Sequence, residues 1–570
     1  MSNKVHQKFI ELVRRDKPFI GAKELERLEQ KFSGNTLDIV EALIVDNLLP
    51  HKEACRLYST ALGYAYVDPL ASIATEEALE KIPADIARKA QCLPLYIIDN
   101  TLSVTLVNPD DEAMVKRLAG ITGMEISPVF SLRSEIHDAI EIYYSTEEDI
   151  QAILSELAET GEALLKEYSM ADLQSLSESE GLIKIVDAMI YFALRERTSD
   201  IHIEPHQEET VVRFRIDGRL REMLRLSKAI HRALMVRIKI LCDMNIAESR
   251  FPHDGRMTLP LGARKADFRV SVIPTVEGEK CVIRVLASSS KKEMMTLDKM
   301  MISQSIQKPF RRVIQNPNGI IFVTGPTGSG KTTTLYAALN EINEPDVNIS
   351  TIEDPVEIRM EGITQSQVNN HIDLKFSTLL RSMLRQDPDV LLVGEIRDLE
   401  TAKIACEAAL TGHLVFATLH TNSAIQAIIR LVEIGIEPYM VAPAILAVLA
   451  QRLAARNCDR CKVAFYPGEE ELARFFDDAE GITDVRFHFG QGCNACRGSG
   501  YMGRVAFHEF ALVTEEMRSL IAQNAGMTEL TRAAKKAGYK PLRYDGLKKV
   551  LLGLTTPDEI DKHTSVELAV

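Results

Sequence analysis

The stretch with the plainest chemistry is "GPTGSGKTTTLY", Gly325 to Tyr336, which follows the apolar run "IIFVT". Its order predicts a strand over Ile320 to Thr324, then a loop, then a helix starting near Lys331. The loop is Gly325, Pro326, Thr327, Gly328, Ser329 and Gly330, whose glycines let backbone N–H groups turn inward onto phosphate oxygens. The helix N-terminus adds partial positive charge. Lys331 is placed to reach the β- and γ-phosphates, Thr332 offers a hydroxyl to Mg²⁺, and Thr333 shares the first turn. This pattern binds a nucleoside triphosphate. Alone, it leaves kinase chemistry, hydrolysis and switching open.

Three further apolar runs end in reactive groups. "VNISTIEDPVE" ends in Glu353 and Asp354, and "DVLLVGEIRD" is a four-residue run followed by Gly394 and Glu395. Carboxylates at the C-terminal ends of parallel strands lie over the crevice where α/β sheets bind ligands. One would hold Mg²⁺ through water and another would polarise the attacking water. No phosphoacceptor pocket is evident, which favours hydrolysis over kinase chemistry. In "LTGHLVFATLHTNS" the strand "LVFAT" brings Thr418 and His420 to the same edge as sensors of the γ-phosphate, with His413 at the other end.

Nine cysteines occur. Four form the pattern C-x2-C-x31-C-x2-C: Cys458, Cys461, Cys493 and Cys496. Two such pairs can present four thiolates to one tetrahedral Zn²⁺, a closed site with no open position for catalysis. Neither pair has the strand-helix context of a redox motif. The other five (Cys55, Cys92, Cys242, Cys281, Cys406) sit singly in apolar settings, as reduced core residues do.

These groups need elements to position them. With 570 residues and 46% hydrophobic content, the chain can bury several cores. Residues 1–144 alternate helical patterns with short strands. Between Thr146 and Glu180 stand ten acids and one lysine, a solvated connector that places a linker at 145–180. Residues 181–292 read as a helix followed by period-2 strands, an α+β domain. Residues 293–570 alternate apolar strands with helices, the α/β pattern, with the cysteine module at 456–505. The N-terminus has no apolar signal core, and the longest apolar run, "YMVAPAILAVLA", is too short to span a bilayer. It reads as a buried helix starting near Pro443. A net charge of -14 makes a general nucleic-acid binder a poor reading, although a nucleic-acid-translocating motor and a nucleotide-gated scaffold are the other classes to weigh.

The succession "GPTGSGKTTTLY", "TIEDPVE", "RQDPDVLLVGEIRD", "LTGHLVFATLHTN" resembles the secretion ATPases of type II secretion and type IV pilus assembly, the GspE/PilB group. In family terms these are the Walker A, Asp box, atypical Walker B and His box. The preceding segments "SDIHIEP", "VRFRIDGRLRE", "IAESRFPHDGRM" and "DFRVSVIPTVEGEKCVIRVL" extend the resemblance over roughly Gly181 to Tyr544. It implies a homo-hexamer in which a PAS-like N2 domain precedes a RecA-like P-loop ATPase domain, with ATP between them. It also implies that Arg269 and Arg284 are the N2 arginines that reach phosphate, and that Arg381, Arg385, Arg397 and Arg430 lie near the nucleotide. Glu353 matches the general base and Glu395 the Mg²⁺ side, with the reverse assignment left open by the residues. Assembly and secretion members carry a four-cysteine zinc module here. One departure is Ser423, where many members have an acid.

The resemblance further implies mechanical work at the inner membrane on a platform protein, by a cytoplasmic enzyme held there through partners. Residues 1–144 read as an N1-like docking domain for a cytoplasmic domain of that apparatus. Cyclic di-GMP is not expected, because Thr36 and Asp38 stand where the binding motif would have Arg and Gly.

Overall fold

The computed structural model describes the chain apart from residues 1–2, 18–19, 21, 33–34, 47, 70–73, 145–176, 197, 262–263, 287–295, 370–371, 474–484, 497 and 565–570. Most of the expected linker, the junction expected at 292–293 and part of the cysteine spacer therefore lie outside the described residues. The chain divides into two compact units, Met1–Ser290 and Lys291–Val570.

In the first unit, four helices (Asn3–Asp16, Ala22–Lys31, Thr36–Val45, His51–Leu62) bury Phe9, Leu25, Leu43 and Tyr58. Strands β1 (Cys92–Ile98), β2 (Thr101–Leu106) and β3 (Glu125–Phe130) form a sheet, antiparallel between the first two and parallel between the last two. The parallel step needs a crossover, which the helix Glu112–Thr122 supplies. After the helix Glu180–Arg195 come β4 (Asp200–Pro205), β5 (Glu209–Ile216), β6 (Arg219–Ser227), β7 (His253–Leu261), β8 (Arg264–Thr275) and β9 (Gly278–Val285). They form an antiparallel sheet in the order β6-β5-β4-β9-β8-β7. Period-2 alternation gives this sheet one apolar face, with Ile201, Ile203, Phe214 and Phe268 in a core shared with the helices Glu180–Arg195 and Lys228–Leu241.

The second unit is built on β10 (Gly319–Thr324), β11 (Ile349–Glu353), β12 (Thr364–Gln367), β13 (Val390–Val393), β14 (Leu414–Leu419), β15 (Ile445–Asn457), β16 (Lys462–Phe465), β17 (Phe487–Gly490) and β18 (Tyr501–Leu512). Seven of them form one sheet, β12-β11-β13-β14-β10-β15-β18. All its pairings are parallel except the last, β15 with β18. The continuous apolar runs follow from burial on both faces. Ile320 and Phe322 enter one core with Val415 and Ala417, while Ile321 and Val323 enter the other with Leu414 and Phe416. Each of these side chains larger than alanine, fully buried, stabilises the fold by roughly 1.5–3 kcal/mol.

One expectation is corrected here. "YMVAPAILAVLA" is not a helix starting at Pro443: the helix Pro438–Ala444 ends just past that proline, and Ile445 opens β15. The run "ILAVLA" gains more as a strand, because it fills the position beside β10 and sends alternate residues into both cores.

Candidate functional site

Strand β10 lies between β14 and β15, so both neighbours run to the level of the loop that follows Thr324. The Thr324 hydroxyl donates to Leu419 O at 2.9 Å and accepts from Thr421 N at 3.0 Å, tying the loop's base to the end of β14. Gly325 is at φ 149°, and a Cβ there would stand 2.5 Å from Gln451 O, so the backbone conformation and the tight space both call for glycine. The helix Lys331–Ile342 begins directly after Gly330. Lys331 Nζ folds back onto the loop, donating to Gly325 O at 2.9 Å and Pro326 O at 3.1 Å. Burial pushes its pKa down and Glu395 opposes the shift, so the ammonium and that carboxylate act on each other.

Gly394 lets β13 close on β11: its N–H donates to Ile352 O at 2.7 Å, and a Cβ would meet that oxygen at 3.0 Å. Glu395 follows, mostly buried, and is held by Arg397 at 2.6 Å and His420 Nε2 at 3.0 Å. Thr418 donates to Gly394 O at 2.5 Å, locking β14 to the same turn. Burial, with Lys331 next, pushes the His420 pKa down, so its imidazole is neutral at pH 7 despite Glu395. Lys331, Glu395, Arg397 and His420, widely separated in sequence, thus share one neighbourhood.

Glu353, at the end of β11, is 4% exposed. One oxygen accepts from Thr351 Oγ1 at 2.6 Å and Gln365 Nε2 at 3.1 Å, and the other accepts from the Tyr336 hydroxyl. Burial and this carboxylate push the Tyr336 pKa far up, keeping the phenol a donor.

Three of the remaining arginines have partners elsewhere in the second unit. Arg381 pairs with Glu400 at 2.6 Å, Arg385 donates to Arg381 O, and Arg430 pairs with Glu433 in its own helix. Arg269 and Arg284 belong to the first unit, opposite one another on β8 and β9, with Arg284 Nε 2.8 Å from Asp200. His413 is structural: its Nδ1–H donates to Ala408 O at 2.9 Å, closing the helix Leu399–Leu410. Ser423 caps the helix Ala424–Ile434 by accepting from Gln426 N, which gives that departure a local purpose.

Besides the partners of Glu353, two residues at the site went unnoticed in the sequence. Gln451 donates to Ser329 O at 2.6 Å and accepts from Thr334 Oγ1 at 2.7 Å, and Arg452 donates to Asn422 at 3.1 Å. Their signal was hidden by reading the preceding run as helix. As a strand beside β10 it ends alongside the glycine loop.

The four Sγ atoms of Cys458, Cys461, Cys493 and Cys496 all lie within 4.8 Å of one another. Three pairs are at 3.9, 3.7 and 3.7 Å. A tetrahedron with Zn–S bonds of about 2.3 Å has edges of about 3.8 Å, so the donor set fits Zn²⁺. Backbone N–H groups of Cys493 and Gly500 point at Cys496 Sγ from 3.2 and 3.3 Å. Burial pushes that thiol up, but these donors and the neighbouring sulfurs outweigh it and bring it down to about 6, while burial with its sulfur neighbours takes Cys461 up to about 12. The other five cysteines are buried. Among the described residues, no helix is long and apolar enough to cross a membrane.

Residues 175–562 match the family described as Type II/IV secretion system protein, and residues 62–150 match the MshEN domain. The type IV pilus assembly ATPase PilB of Thermus thermophilus is 40% identical over 93% of this chain, which spans 59% of that protein's length. Type II secretion system protein E of Dickeya dadantii is 40% identical over 86% of this chain and 99% of its own. The fold is shared with the ATPase DotB of Yersinia pseudotuberculosis, at 19% identity and a TM-score of 0.50, covering 71% of this chain and 97% of that one. The strand-end site and the four-cysteine cluster thus lie inside the matched region, and the chain belongs to the type II/IV secretion system protein family, which includes type II secretion proteins and type IV pilus assembly ATPases.

Proposed function

We propose that the second unit, a RecA-like domain in this reading, hydrolyses ATP with Mg²⁺ and that hydrolysis drives assembly of a type II secretion pseudopilus or a type IV pilus. The observation that carries it is the meeting of Lys331, Glu395 and His420 beside the glycine loop, at the C-terminal ends of parallel strands. Thr332 and Glu395 would hold the Mg²⁺, which when bound neutralises charge on the phosphate oxygens. Three donors fill three of the roughly four lone-pair sites of the Glu353 carboxylate, leaving one for the attacking water. Zn²⁺ on the four thiolates is structural.

Arg381 and Arg430 have side chains 58% and 53% exposed, which suits contacts across a subunit boundary in a homo-hexamer. Arg269 and Arg284 would contribute from the first unit, whose six-stranded portion is the PAS-like N2 domain of this reading. The domain at 1–144 would dock on a cytoplasmic domain of the inner-membrane apparatus, and the platform protein would take up the work. The enzyme is then cytoplasmic and held at the inner membrane by partners. Calorimetry with cyclic di-GMP tests the reading that this domain takes no such ligand.

The two carboxylates separate the roles. Glu353→Gln is expected to bind ATP and Mg²⁺ normally and to lose about 10²–10⁴ in turnover. Glu395→Gln should instead raise the Mg²⁺ concentration needed for half-maximal rate. Reversed phenotypes would exchange the two assignments.

A further inference from the structure

Residues 451 and 452 end the stretch of β15 that runs beside β10, just past the last pairing of Thr324 with Ala450. Successive side chains of a strand point to opposite faces, and here the two reach different loops. Gln451, 1% exposed, grips the phosphate loop and the first turn of its helix: its amide N–H donates to Ser329 O and its amide oxygen accepts from Thr334. Arg452, 7% exposed, donates to Gln451 O at 3.1 Å and forks onto the backbone and side-chain oxygens of Asn422, both at 3.1 Å. Asn422 is two residues beyond His420, so this guanidinium fixes the loop that carries the proposed γ-phosphate sensor.

We propose that Gln451 and Arg452 are positioning residues that divide the reading of the phosphates. Gln451 sets the loop that holds the α- and β-phosphates and serves ADP and ATP alike. Arg452 sets the loop after β14 and serves ATP alone, because only ATP carries the group which that loop faces. The proposal rests on the ATP reading above.

The experiment measures binding of ADP and of a non-hydrolysable ATP analogue to the full chain with Mg²⁺, together with kcat and KM. Gln451→Leu is expected to weaken both nucleotides alike, by about tenfold for the loss of a buried hydrogen-bond pair. Arg452→Met should weaken the analogue by up to about fivefold, no more than loss of the His420 contact it positions, and ADP by less than about twofold. Arg452→Lys, which keeps the charge but loses the fork, should recover part of the analogue affinity, and it carries the test if the methionine variant does not fold. Equal weakening of both nucleotides by the Arg452 variants, or no effect on either, overturns the division. Wild-type protein that binds neither nucleotide would sink the ATP reading itself, a result distinct from both.

Discussion

The phosphate edge and the cysteine cluster lie in the same unit and are held by opposite means. At the edge, each functional group ends an element whose remaining residues are buried in two large cores, and the loop is fixed by backbone geometry and neighbouring strands. At the cluster, one small core (Ala454, Leu472, Phe487, Val505, Phe507, Leu542, Val550 and Ile560) backs a two-stranded antiparallel sheet and two short cysteine turns. The first region can hold its shape before ligand arrives. In the zinc reading, the second relies on a divalent cation to draw four cysteine sulfurs together as thiolates. Preorganisation comes from the sheet in one case and, in that reading, from the metal in the other.

The largest expected effect breaks the comparison at its weaker side. The intact protein should carry about one Zn²⁺ per chain. Stripping it, or making Cys458→Ser with Cys493→Ser, removes a contribution of roughly 10–16 kcal/mol by analogy with zinc-finger peptides. Metal analysis and protease digestion should show the module lost while ADP binding persists; retained zinc in the double variant would show that other ligands hold it. Next comes Arg269→Ala, which asks whether the preorganised edge is sufficient alone. Turnover should fall by about 10³ or more while ADP affinity hardly changes, since ADP lacks the group contacted. Unchanged turnover would remove Arg269 from the chemistry. The smallest effect is His420→Ala: one neutral hydrogen bond, worth about fivefold in affinity for an ATP analogue and little for ADP. Equal loss for both would make the imidazole a fold residue, as His413 is.

What was legible in the sequence follows the same division. The glycine loop, the strand-end carboxylates and the cysteine pairs are local patterns, in which a few neighbouring residues determine the chemistry. His420 could be placed because "LVFAT" is a short apolar strand. Gln451 and Arg452 could not, because their roles arise from a pairing between β10 and β15 across more than 120 residues. The apolar run before them satisfies a buried helix as well as a buried strand, and Pro443 tipped the reading toward helix. The partners of Glu353 were hidden for a related reason. Tyr336 lies on the helix after the glycine loop and Gln365 on β12, so only the folded sheet brings them to β11.

The central claim is that the edge around Lys331 is where ATP is bound and cleaved. Mg²⁺-dependent ATP turnover and ADP binding, measured side by side on wild-type protein and Lys331→Ala with zinc content as the check on folding, test it most directly. The account predicts turnover in the wild type, a loss of at least about a hundredfold in the variant together with weakened ADP binding, and unchanged zinc in both. Full turnover and normal ADP binding by Lys331→Ala would contradict it.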